Sequence, residues 1–110
     1  MVEGFWIVQF EGMQGSGGGV AVLMKGQILG GDSGYTYTGS YKLNEKSIRA
    51  RVSVRNFLPG VPSLLGTVGD FELDVTGNID GDVIRGSASL VNPPGIGIAL
   101  KLTKRANLPA

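Results

Sequence analysis

The sequence predicts an all-β fold: an eight-stranded, mostly antiparallel up-and-down barrel with a short helical turn in the 56–69 connection. Three observations carry this. Short runs with an apolar–polar alternation of period two recur along the chain, and no segment carries helical spacing strongly enough to compete. Glycine punctuates those runs; 19 glycines are too many for a helical protein, while 42% hydrophobic content is too high for disorder. The runs number eight, joined mostly by hairpins, which suffices to close a barrel filled by its own side chains or by one small ligand. A two-sheet sandwich is the alternative. The 110 residues fit one domain spanning 1–110.

Residues 4–11 read as the first strand, with Trp6, Val8 and Phe10 on one face and Phe5, Ile7, Gln9 and Glu11 on the other. Both faces are apolar enough that one is expected to meet a partner, which makes Phe5 and Ile7 candidate contact residues. The glycine-rich residues 12–19 are expected to form a hairpin loop; a phosphate-cradling loop would need a helix next, but Val20-Ala21-Val22-Leu23-Met24 is strand-like. Lys25-Gly26 has the spacing of a two-residue hairpin turn, returning the chain through Gln27-Ile28-Leu29. A turn at Asp32-Ser33-Gly34 then feeds a strand carrying Tyr35, Tyr37, Gly39 and Tyr41 on one face. With Asn44-Glu45 as the next turn, Tyr41 falls opposite Ile48 and Tyr37 opposite Val52. Ile48, Ala50, Val52 and Val54 alternate with Ser47, Arg49, Arg51, Ser53 and Arg55, the cleanest strand pattern in the chain.

Pro59 and Pro62 forbid a central strand across residues 56–69, yet Phe57, Leu58, Val61, Leu64 and Leu65 are too apolar for a wholly solvated loop. The segment is expected to cap one barrel end, with a helical turn through Ser63-Leu64-Leu65. Phe71, Leu73 and Val75 form another inward face. An Asp80-Gly81 turn would set Val75 opposite Gly86 and Leu73 opposite Ala88. The last hairpin, around Asn92-Pro93-Pro94-Gly95, needs an odd-numbered loop or a bulge to hold Ile96, Ile98, Leu100 and Leu102 inside.

Composition narrows the chemistry. The chain has no cysteine and no histidine, which removes thiol chemistry, disulfides, and every nucleophile–histidine and histidine–zinc arrangement. Ten basic against nine acidic residues give a charge of +1, no general field for a polyanion, so nucleic-acid binding is not expected. Residues 1–4 run straight into strand pattern without a signal-peptide form, and no apolar run has membrane-helix length, so a cytoplasmic protein with no membrane partner is expected. Asp80 and Asp82 flank Gly81, but the further oxygen ligands of a calcium loop are missing and a turn is the better account. No cofactor, metal or catalytic set is expected.

Three groups remain as candidates. Asp32, Tyr35, Tyr37 and Tyr41 could hydrogen-bond a ligand at the barrel mouth, or serve structure alone, with Asp32 capping the turn and tyrosines filling the sheet. Arg49, Arg51 and Arg55 share an outer face and could dock an acidic partner, although Glu72 and Asp74 on the next strand offer cross-strand pairing. Trp6 is read as a core plug.

Gly30-Gly31-Asp32 followed by Tyr37 and Gly39, then Pro62-Ser63 ahead of Phe71-Glu72-Leu73, resembles the GrlR-type negative regulators of type III secretion. Gly4 with Trp6 fits that family's first strand, and Val20-Ala21-Val22-Leu23 with Gly26 its second and third; the likeness runs in order from about residue 4 to 102. The resemblance implies a calycin or lipocalin-like barrel, a homodimer, no enzyme activity, and action on a regulatory protein partner. The founding member binds a transcriptional activator through an acidic run in the turn after the tyrosine strand. That turn here reads Leu43-Asn44-Glu45-Lys46, without the run. From a different class, the lumen could instead carry one small apolar ligand, with Gly39, Ala50, Gly86 and Ala88 leaving space for it.

Overall fold

The computed structural model describes residues 2–12, 15–60 and 69–109. Eight strands, β1 (Gly4–Gly12), β2 (Gly15–Met24), β3 (Gln27–Gly31), β4 (Tyr35–Asn44), β5 (Ser47–Asn56), β6 (Phe71–Asp80), β7 (Val83–Leu90) and β8 (Gly97–Ala106), follow one another around the wall. Each pairs antiparallel with its sequence neighbour, and β8 returns to β1 to close the barrel. No helix occurs among the described residues, and none is long and apolar enough to cross a membrane. The helical turn expected at 63–65 lies outside the described residues.

Side-chain parity along the strands follows the alternation in the sequence. Trp6, Val8, Ala21, Leu23, Ile28, Ile48, Val52, Val54, Leu73 and Ile84 face inward and are buried, while the arginines of β5 face out. Registers differ from the expected ones in two hairpins. Glu45-Lys46, not Asn44-Glu45, forms the β4–β5 turn, so Tyr41 faces Ala50 and Tyr37 faces Val54. Gly81-Asp82, not Asp80-Gly81, turns β6 into β7, so Val75 faces Ala88 and Gly77 faces Gly86. Moving a tight turn by one residue slides the register by two, which keeps every side chain on its face; hydrophobic alternation therefore cannot fix it. Turn geometry does: Gly81 takes φ 61° at the first loop position, as a type II′ turn requires.

Of the residues expected to form a loop, 15–19 are strand instead. Gly15 pairs with Gly12, and Gly17, Gly18 and Gly19 pair with Phe10, Gln9 and Val8, so the glycine run is the first half of β2. Backbone groups of β1 need partners along their whole length, and glycine supplies them while adding no bulk to the interior. Lys25-Gly26 does form the expected two-residue turn, with φ of 52° and 78°. The β7–β8 hairpin is odd-numbered, since the Leu90 N–H donates to the Ile96 carbonyl at 2.8 Å. Ile98, Leu100 and Leu102 then face inward, but Ile96 does not join them: at the rim it is 41% exposed.

The two barrel ends differ. At one, Trp6 is fully buried and its indole N–H donates to the Val2 carbonyl at 2.9 Å. The three tight turns of that end each extend the ladder, Tyr41, Ile79 and Lys104 donating to the carbonyls of Gly26, Lys46 and Asp82. This end is closed. The opposite end, which carries the 32–34 turn, residues 57–60 and 69–70 and the 91–96 connection, is the mouth; the cap expected from residues 56–69 rests mostly on residues 61–68, outside those described.

Candidate functional site

Asp32 leaves β3 just before the chain turns, and its side chain organises the mouth. One carboxylate oxygen accepts the N–H groups of Gly34 and Tyr35, both at 2.9 Å, and the Asp32 N–H donates to the Tyr35 carbonyl at 2.9 Å. The other oxygen accepts the Tyr37 hydroxyl. Burial, reinforced by the hydrogen bond to Asp32 and by that residue's negative charge, pushes the Tyr37 hydroxyl well above its ordinary range, so it remains a protonated donor. Gly19 makes room for the pair: a Cβ there would lie 3.0 Å from the Tyr37 oxygen and 3.1 Å from Asp32 Cβ. The glycine run thus has a use that its reading as a loop concealed.

Tyr35 is buried, its ring tilted against Phe71 with centroids 6.0 Å apart. Tyr41 is elsewhere. It also points inward, but four residues beyond Tyr37 on an extended strand is roughly 13 Å toward the closed end, level with the turn whose Gly26 carbonyl takes its N–H. Asp32, Tyr35 and Tyr37 therefore meet at the mouth, whereas Tyr41 belongs to the packing of the plugged end.

Below the mouth lies a cavity of about 300 Å³. Val8, Phe10, Val52, Leu73, Val75 and Leu100 are among the apolar side chains that line it, and Ser33 joins Asp32 at its polar rim. Alternation in the sequence identified the apolar lining, but Ser33 at the rim carried no signal. Asp32 is the only charged residue among the described lining residues.

Outside, the arginine face is largely satisfied by the neighbouring strand. Arg51 pairs with Asp74 at 2.6 Å, as expected, and Arg55 with Asp70 at 3.3 Å, while Glu72 accepts from Ser53 at 3.3 Å. Asp70 also accepts the Asn56 N–H at 2.9 Å, tying the end of β5 to the start of β6. Arg49 stands opposite Lys42 on one side and Thr76 on the other, and among the described residues it makes no ion pair. Around the wall, Phe5 and Ile7 continue into an apolar stripe: Phe5 faces Val22, which faces Leu29, and Ile7 faces Val20. Phe5 is 36% exposed and Leu29 49%.

Among the described residues no group of three His, Cys, Asp or Glu side chains is placed to hold a metal ion. A search of curated proteins finds no match. The family model for the type III secretion negative regulator GrlR matches residues 1–96. That span takes in β1 to β7, the Asp32–Tyr37 pair and both exterior faces, and leaves out β8. The chain belongs to the GrlR family of negative regulators of type III secretion.

Proposed function

We propose that this protein is a noncatalytic regulator that acts through protein contacts on the barrel exterior, as a homodimer. The observation that carries this is the apolar stripe Phe5–Val22–Leu29 with Ile7–Val20, running across three paired strands on the outside of a closed barrel. A barrel needs apolar residues inside; contiguous ones outside are useful only if covered. A two-fold contact burying this stripe leaves the β4–β5 side, with Lys42 and Arg49 adjacent, open to an acidic regulatory partner. Because the Leu43–Lys46 turn lacks an acidic run, this basic pair is the better contact for such a partner.

The test has two parts. Phe5→Glu with Leu29→Glu should convert a dimer into a folded monomer in light scattering; a dimer that persists, or a wild-type monomer, overturns the dimer assignment. Lys42→Glu with Arg49→Glu should relieve repression of a type III secretion reporter by a protein that remains folded and dimeric. Full repression by that variant overturns the basic contact.

The cavity favours a second reading as well: the lumen holds one small apolar molecule, at the lower end of the volumes typical of ligand pockets.

A further inference from the structure

We infer that the lumen selects amphiphiles with an apolar body and a hydrogen-bond-donating, cationic head, such as a primary amine, and rejects those with an anionic head. This rests on the second reading above and gives it a ligand class. The body follows from the cavity. An apolar cavity of roughly 150 Å³ takes up benzene, so about 300 Å³ corresponds on the same filling to roughly a dozen non-hydrogen atoms. The described lining below the rim is dominated by Val, Leu, Ile and Phe side chains and leaves no buried side-chain nitrogen or oxygen unpartnered, so nothing deep in the lumen asks for a polar group.

The head follows from the rim. Asp32 brings a carboxylate, and no Lys or Arg occurs among the described lining residues to neutralise it. One of its oxygens is occupied by two backbone N–H groups, and the other takes the Tyr37 proton. With its proton committed to Asp32, the Tyr37 oxygen is left with lone pairs, and the second Asp32 oxygen keeps acceptor capacity. Ser33 can turn to either role. The rim is therefore an array of acceptors around a negative charge. An ammonium satisfies it, a hydroxyl does so in part, and a carboxylate meets like charge at a partly desolvated site.

Titration calorimetry at neutral pH with decylamine, decanol and decanoate, each below its micelle concentration, tests this. The expected order is decylamine, then decanol, then decanoate, with amine and acid separated by at least about tenfold. Asp32→Asn, which keeps an oxygen for the Gly34 and Tyr35 N–H groups, should bring amine and acid to within about threefold of each other. Should that variant fold poorly, Ser33→Lys at the exposed rim should invert the order. Ala50→Phe, which fills the lumen, should abolish all three, separating interior binding from adsorption on the outer apolar stripe. If decanol and decylamine both fail to bind, the lumen reading itself falls. If decanol binds but the amine has no advantage over the acid, or Ser33→Lys leaves the order unchanged, the head-group selection is wrong while the lumen reading survives.

Discussion

Gly77 and Gly86 stand opposite each other on β6 and β7, yet alanine at the two positions should have very different consequences. Both face inward, both are interior strand glycines, and propensity alone would make both substitutions mildly stabilising, by about 0.4–1 kcal/mol, through the unfolded chain. Geometry separates them. A Cβ at Gly86 would lie 1.9 Å from the Thr76 carbonyl oxygen and 2.6 Å from Gly77 Cα, all backbone. Carbon–oxygen contacts normally begin at about 3.3 Å, so the two strands must part by more than 1 Å. Two or three ladder bonds at about 1 kcal/mol each would be lost, with about 1–3 kcal/mol of misfit added. The net loss is about 3–5 kcal/mol against a total of about 5–15 kcal/mol for a domain of this kind. At Gly77 the nearest atom is the Ile84 Cγ2 methyl at 3.0 Å, then the Arg85 oxygen at 3.2 Å. A methyl can turn aside, and Gly77→Ala should stay within about 1 kcal/mol of wild type. Urea unfolding followed by far-ultraviolet circular dichroism measures both. Equal losses, or a larger one at Gly77, would refute the register and the curvature inferred for this hairpin.

Two further substitutions probe the two ends. Trp6→Ala should cost about 3–5 kcal/mol in the same unfolding assay, since it empties the plug and removes the indole donor to Val2; a loss below about 1 kcal/mol would mean that Trp6 does not close the barrel. Because the folded-state pKa of Tyr37 is raised, its stabilising effect is fully present below the unfolded value near 10 and is lost as pH rises above it, with a slope of at most about 1.4 kcal/mol per pH unit, reduced by the hydroxyl's partial exposure. Tyr37→Phe should flatten the alkaline fall in stability measured at pH 10 to 11.5, and an unchanged fall in that variant would contradict the burial of this hydroxyl.

What the sequence reveals here is face, and what it hides is position along the strand. Ile48 to Val54 and Phe71 to Val75 alternate so regularly that their inward parity is legible from the residues alone, and the structure keeps it. Register is a different quantity, decided by turn backbones such as Gly81 at φ 61° that a period-two pattern cannot see. Tyr41 shows the same limit in the candidate site: parity groups it with Tyr35 and Tyr37, but depth along β4 assigns it to the plug. Ile96 has the right parity and too little depth, so it stays on the rim. The glycines of residues 15–19 misled for another reason, since their common use in loops outweighed the need of β1 for a paired neighbour.

The mouth and the outer apolar stripe are built on the same piece of backbone. Gly19 faces the lumen, where a Cβ would press on Gly31, Tyr37 and Asp32; its neighbour Val20 faces out as part of the stripe and pairs with Gly31, the residue before Asp32. A change at Gly19 would therefore disturb the carboxylate–hydroxyl pair and the edge of the stripe together, and could not tell an interior function from an exterior one. Ser33 and Ala50 border the lumen, while Phe5 and Leu29 lie on the outside. If an amine in the lumen also altered dimerisation, the β2–β3 ladder between Val20 and Gly31 is the physical route by which it would do so, and it is a short one: a single backbone pair separates the ligand's anchor from the surface a second copy would cover.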